Sequence, residues 1–155
     1  MTRPRRLLFV CHGNTCRSPM AVGIARSRLR SIADGGSLVI EGAGIAVRTP
    51  GAPADPRALR CAAGHGIDLS WSRARPIVPD DFHAFDLLVP LDHDVTRRLH
   101  AMAPIDGATI RALMSFAPGA AADEVPDPFH GGPADYEAAF RLIGQGVDAL
   151  MNTIA

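Results

Sequence analysis

Hydrophobic positions along this chain follow two alternating rhythms. Leu7-Leu8-Phe9-Val10 run together without a polar break, so Arg6 to Cys11 is predicted to be a short strand covered on both faces. From Ser18 to about Arg30 the period lengthens. Met20, Ala21, Ile24, Ala25 and Leu29 recur near 3.6-residue spacing, with Arg26, Arg28 and Arg30 around the rest of the helix, and Asp34-Gly35-Gly36 ends the unit. Leu38 to Ala43 predicts a second strand and Thr49 to Pro56 a proline- and glycine-rich surface loop. A helix starts at Asp55-Pro56 and runs through about Gly64. Phe85 to Leu91 predicts a third strand, Asp94 to Met102 a helix, and Ile110 to Met114 a fourth strand. Tyr136, Phe140, Ile143, Val147 and Leu150 stripe a closing helix from Pro133 to about Asn152. Strands alternating with helices at these lengths imply parallel βαβ units. The expected fold is α/β, a single-domain, doubly wound sheet of four parallel strands with helices on both faces. Ligands bind such sheets beyond the carboxyl ends of the strands, and Cys11 stands at one.

Composition narrows the class without naming a chemistry. The chain has 155 residues, 47% hydrophobic and 21% charged, the balance of one globular domain spanning 1–155. Sixteen basic and sixteen acidic side chains leave no global field to recruit nucleic acid or an anionic membrane. Arg3, Arg5 and Arg6 flank the first strand as solvated charges. Three cysteines, an odd count without scaffold spacing, favour a reducing cytoplasm. The apolar run to Val10 is too short for a signal peptide, and no eighteen apolar residues run together. A soluble, cytoplasmic protein, monomeric by default, is expected. Gly42-Ala43-Gly44 lacks the third glycine of a dinucleotide fingerprint, and no Gly-Lys-Ser/Thr occurs.

The chemistry concentrates in Cys11-His12-Gly13-Asn14-Thr15-Cys16-Arg17-Ser18-Pro19. A thiol at a strand end is followed by a loop that closes onto a helix start. Backbone N–H groups from His12 to Ser18 and the helix dipole there favour an anion. Arg17 adds a planar fork able to hold two oxygens of a phosphate. The arrangement suits a tetrahedral oxyanion above the Cys11 sulfur, with the thiolate as nucleophile. Ser18 followed by Pro19 reads as N-cap and first helical residue, although the hydroxyl can turn towards the sulfur instead. Attack on a phosphate ester goes poorly unless a proton reaches the leaving oxygen. Val125-Pro126-Asp127-Pro128-Phe129-His130-Gly131-Gly132 offers a carboxyl held between two prolines, just before the last helix.

Cys, five residues, Arg, then Ser is the signature loop of cysteine-dependent phosphatases, and CHGNTCRSPMA resembles the low molecular weight protein tyrosine phosphatases more narrowly. The likeness extends through ADPRAL at Ala54–Leu59, GIDLS at Gly66–Ser70, Arg73-Ala74-Arg75 and the VPDP segment. It implies hydrolysis of phosphotyrosine proteins through a cysteinyl-phosphate, with Cys11 as nucleophile, Arg17 as phosphate clamp and Asp127 as general acid and base. Neither cofactor nor metal is needed, and a cognate tyrosine kinase would be the natural counterpart. The same resemblance implies a left-handed Asn14 bracing the loop, Ser18 bonded to the thiolate, and a reversible Cys11–Cys16 disulfide. It also implies an Asp92 that orients Arg17; the alternative for Asp92 is an N-cap of the next helix. Cys61, beside Leu59 and Ala62, is read as core.

Departures from the family pattern are specific. Gly42 stands where a serine supports the loop asparagine, and Trp71-Ser72 where a supporting histidine precedes Arg-Ala-Arg. A loop that is less rigid, or rebuilt using Ser72 or water, is expected. Arg48 replaces an aromatic wall, while Phe129 and His130 keep one stacking face; His12 and Thr15 make the pocket mouth more polar. Two other readings remain. Arsenate reductases share the fold and loop, but they need a downstream relay pair of cysteines, and Asp80 to Asp94 contains none. A catalytically weak phosphotyrosine-binding module would follow from the missing supports, against which Cys11, Arg17 and Asp127 are all retained.

Overall fold

In the computed structural model, which describes residues 3–32 and 37–154, the chain is laid down on β1, Arg6–Cys11. Leu7, Leu8, Phe9 and Val10 are all fully buried, which explains the unbroken apolar run. Each contributes about 1.5–3 kcal/mol of burial. The elements follow as α1 (Arg17–Leu29), β2 (Val39–Gly44), α2 (Pro56–Gly64), α3 (Asp81–Ala84) and β3 (Leu87–Pro90), then α4 (His93–Met102), β4 (Thr109–Ile110) and α5 (Pro133–Ile154). The four strands form one parallel sheet in the order β2-β1-β3-β4. Alternate β1 side chains serve opposite faces. Leu7 and Phe9 pack with α1, α2 and α5, whereas Leu8 and Val10 pack with Phe82 of α3 and with Val95 and Leu99 of α4. After β2 the connection crosses over β1 to reach β3, so the winding reverses between β1 and β3. The crevice at such a reversal is where doubly wound sheets bind ligands.

Several boundaries differ from the sequence expectations. The first helix begins at Arg17, with Cys16 at its N-cap position, so Ser18 is not the cap. Ser18 lies inside the first turn and directs its hydroxyl to sulfur. The fourth strand is only Thr109–Ile110; Leu113–Phe116 is a 3₁₀ turn. Leu113 and Met114 carry the apolar signal because they are buried beside α5, where a Cβ on Gly146 would lie 2.6 Å from Leu113. The third strand is shortened to Leu87–Pro90, and α3 lies in a stretch whose pattern predicted no element. Asp34-Gly35-Gly36 falls outside the described residues. Cys61 is half-buried at the margin of the core, its sulfur turned to a carboxylate.

Candidate active site

Where β1 ends, the chain turns through His12–Cys16 and enters α1. Asn14 makes this turn with φ +56, a left-handed conformation that asparagine tolerates better than most residues. Its backbone N–H donates to Cys11 Sγ at 3.2 Å, and its side-chain Nδ2 donates to Ser18 Oγ at 2.6 Å. Because Ser18 Oγ accepts there, its own hydrogen is left for Cys11 Sγ, 3.0 Å away. Two donors therefore converge on one buried sulfur. Asn14 Oδ1 accepts from the Arg75 backbone N–H at 3.0 Å. The extension of β2 braces the loop from the side, with Ile45 N–H donating to Cys11 O and Ala46 N–H to His12 O. Gly44 permits that approach, since a Cβ there would stand 2.8 Å from His12 O. Asn14 is thus held through Ser18 and the Arg75 backbone, and the expected replacement contact to Ser72 is not among its bonds.

Arg17 is almost wholly buried, and its Nη1 is fully committed. It donates to Asp92 Oδ2 at 2.7 Å and to Val125 O at 2.8 Å. Its remaining N–H groups are left for a ligand, and Nη2 lies 3.7 Å from Asp127 Oδ2. Burial works against the guanidinium charge, but Cys11, Asp92 and Asp127 outweigh it and raise the Arg17 pKa further. Asp92 does both of the jobs that the sequence left open. While Oδ2 takes Arg17, Oδ1 accepts from Val95 N–H at 2.7 Å and caps α4.

Asp127 sits half-exposed at the rim, with Oδ1 accepting from Phe129 N–H at 3.1 Å. Cys11, Arg17 and Asp127 line one cleft of about 720 Å³, together with His12, Gly13, Thr15 and Cys16 of the loop. Arg48, Phe129 and His130 form its walls, with Phe129 and His130 edge-to-face at 5.1 Å. Asn14, Ser18 and Asp92 stand behind the cleft and act on it through the loop.

Four positioning residues escaped the sequence reading. Asp55 caps α2 by accepting from Arg57 N–H, and its own N–H donates to Thr15 O at 2.8 Å, which ties α2 to the Cys11 loop. Arg57 donates to Phe129 O at 2.7 Å and lies over the rings of Phe129 and Tyr136. It therefore joins the Asp127 segment to α2. The Arg57 bond holds the Asp55 carboxyl below its usual range, although burial opposes this. Tyr136 hydroxyl meets Cys16 Sγ at 3.3 Å, and burial pushes the Cys16 thiol up to about 11. Arg75, the fourth, acts on Asn14 through a backbone amide. Asp55 was marked as a helix start, Tyr136 as part of an apolar stripe, and Arg57 and Arg75 only within segments of family likeness. None of their contacts to the loop was legible, because those of Arg57, Tyr136 and Arg75 span 61 to 120 residues.

A buried sulfur under converging donors, beside an arginine with one edge free and a carboxyl at the rim, makes a cradle of the shape and charge that suit a tetrahedral oxyanion. Comparison with known proteins then identifies the lineage. The family model for low molecular weight phosphotyrosine protein phosphatase matches residues 6–155, and the chain belongs to that family. It is 35% identical over 153 residues to a low molecular weight protein-tyrosine-phosphatase of Streptomyces coelicolor, covering 96% of this chain and 93% of that protein. It is 31% identical over 140 residues to the low molecular weight phosphotyrosine protein phosphatase of Sus scrofa, covering 88% and 87%. The crystal structure of a protein tyrosine phosphatase from Entamoeba histolytica, with Hepes in the active site, superposes with a TM-score of 0.91. Its sequence identity is 28%, with 96% and 95% of the chains covered.

Proposed function

We propose that this chain is a protein-tyrosine phosphatase in which Cys11 is the nucleophile, Arg17 the phosphate clamp and Asp127 the general acid and base. The observation that carries the reading is the convergence of Asn14 N–H and the Ser18 hydroxyl on Cys11 Sγ, directly beside the unspent edge of Arg17. In the first step the Cys11 thiolate attacks phosphorus, and the bond from phosphorus to the phenol oxygen breaks. The proton from Asp127 goes to that oxygen, leaving cysteinyl-phosphate. In the second step Asp127 takes a proton from water, which attacks phosphorus and returns the electron pair to sulfur. Arg17 and the amides of the loop from His12 to Ser18 hold charge on the equatorial oxygens in both steps. Phe129 and His130 offer the aryl ring a face to stack on, and Arg48, His12 and Thr15 favour polar or acidic residues beside the phosphotyrosine.

We further propose that the protein is a single-domain monomer acting in the cytoplasm on phosphotyrosine proteins opposed by a tyrosine kinase. No helix among the described residues is long and apolar enough to cross a membrane. The test is hydrolysis of p-nitrophenyl phosphate across pH, in chelator and reductant. Cys11→Ser should abolish turnover, and Asp127→Ala should lower kcat by about 10²–10⁴. A wild-type chain that binds phosphate without turning over p-nitrophenyl phosphate would overturn the proposal in favour of a binding module or an arsenate reductase.

A further inference from the structure

Towards the C-terminal end of α2, three donor atoms meet that the phosphatase chemistry does not use. Cys61 and His65 lie four residues apart, one turn of helix, at the end of α2, and Glu137 faces them from α5. Cys61 Sγ, His65 Nε2 and a carboxylate oxygen of Glu137 all lie within 4.8 Å of one another. Sγ to Oε2 is 3.5 Å and Nε2 to Oε1 is 2.7 Å.

These separations can be set against a metal's requirements. With Zn–S near 2.3 Å and Zn–N and Zn–O near 2.1 Å, tetrahedral coordination places its donors about 3.4–3.6 Å apart. The sulfur–carboxylate separation already has that length, but it runs to Oε2 whereas the imidazole contact is to Oε1, so binding through one oxygen also needs a small turn of the Glu137 carboxylate. The imidazole–carboxylate edge must open by about 0.7 Å, which exchanges one hydrogen bond for two metal bonds. The imidazole is held for this purpose, because its ring stacks on Phe140 with centroids 4.2 Å apart and 15° between planes. Arg141 Nε approaches Glu137 Oε1 at 3.6 Å, but its side chain is 75% exposed and can swing away. The cluster is half-open to solvent, so water can occupy a fourth position.

We propose that Cys61, His65 and Glu137 form a zinc site that staples α2 to α5. The donor set selects the metal: one thiolate, one imidazole and one carboxylate in tetrahedral reach suit Zn²⁺ over magnesium or calcium, which prefer all-oxygen shells. Binding releases the thiol proton to solvent and involves no change of oxidation state. The staple joins the helix whose N-cap, Asp55, holds Thr15 to the helix that follows the Asp127 segment.

The test is titration of the reduced, full-length chain with Co²⁺ as the spectroscopic substitute, followed by Zn²⁺ melting curves. One equivalent of Co²⁺ should give a thiolate-to-metal charge-transfer band that is lost in Cys61→Ser. His65→Ala and Glu137→Gln should each weaken binding at least about tenfold. Zn²⁺ at about a hundred times its Kd should raise Tm by roughly 5–10 °C in wild type and in Cys11→Ser, and not in Cys61→Ser. His65→Ala changes a part-exposed side chain, so it tests the site even if Cys61→Ser unfolds. A band that survives Cys61→Ser would place the metal on Cys11 or Cys16 and overturn the proposal. Absence of any band, or an equal Zn²⁺ shift in all variants, would overturn it too.

Discussion

Asp92 is one small side chain answering to two elements, and that makes its replacement informative. A carboxylate has an acceptor on each side: Oδ2 serves Arg17 at 2.7 Å and Oδ1 caps α4 at Val95 N–H, also at 2.7 Å. Asparagine is normally as good an N-cap as aspartate. Here it has only one acceptor, and whichever partner it keeps, its NH₂ group faces the N–H of the other. If it turns its oxygen to buried Arg17, the cap is lost, at about 1 kcal/mol. The bond to Arg17 also falls from charge-assisted to neutral, roughly another 1 kcal/mol. Asp92→Asn should therefore lose about 2 kcal/mol, and Asp92→Ala about 3 kcal/mol because both bonds vanish.

Catalysis should follow the orientation of Arg17 more than the cap. With Nη1 held only by Val125 O, the free edge of the guanidinium is no longer fixed over the cradle. Loss of one such preorganised group lowers kcat by about 10²–10³, which is the expectation for alanine, with asparagine in between. Urea unfolding gives the stability terms, and kcat for p-nitrophenyl phosphate under conditions where each variant is fully folded gives the other. If Asp92 were only a cap, Asp92→Asn would match wild type in both midpoint and kcat, and Asp92→Ala would lose stability alone. That pair of results would refute the dual role.

Two other perturbations probe the same loop. A Cβ on Gly42 would meet Asn14 Nδ2 at 3.1 Å and Val22 Cγ2 at 3.3 Å, so Gly42→Ala should crowd Asn14, costing about 1 kcal/mol and slowing turnover severalfold. Gly42→Ser adds an acceptor for the second Nδ2 hydrogen and should recover part or all of that loss; an alanine variant at least as stable and active as the serine variant would contradict this account. Burial pushes the Cys16 thiol up to about 11, so its capture of an oxidised Cys11 near neutral pH should run through a small thiolate fraction. After a brief peroxide pulse quenched with catalase, the rate of Cys11–Cys16 disulfide formation should rise about tenfold per pH unit between pH 7 and 9, and a flat profile would rule out thiolate attack by Cys16.

What was legible in the sequence was whatever local chemistry repeats over a few residues. The unbroken apolar run of β1, the helical stripe of α5 and the Asp55-Pro56 helix start each carry their own signal, and each element lies where its pattern predicts. The grouping of Cys11, Arg17 and Asp127 around one cleft was legible for a different reason: the loop and the acid segment are short motifs, and the resemblance to the family implied that they meet. Leu113 and Met114 misled because burial against α5 writes the same letters as a strand. Ser18 left two options because a serine before proline caps helices elsewhere; only the fold reveals that Asn14 Nδ2 occupies its oxygen and turns its hydrogen to sulfur.

The missing supports around Asn14 show where such reading stops. Counting side chains, Gly42 and Ser72 are two losses, and a looser loop follows. The structure counts backbone as well. Asn14 Oδ1 is taken by the N–H of Arg75, while Ile45 and Ala46 donate to the carbonyls of Cys11 and His12. Those amides exist whatever the side chains are, provided the segments come close enough. Gly44 allows one approach, and Arg75 is positioned by its own side chain, which clamps Asp81 with bonds of 3.0 and 3.1 Å. Asp81 belongs to α3, the short helix that no periodicity announced. The loop's support thus runs from an unpredicted turn of helix, through a salt bridge, to a backbone amide, and each link depends on chain segments brought together only by folding.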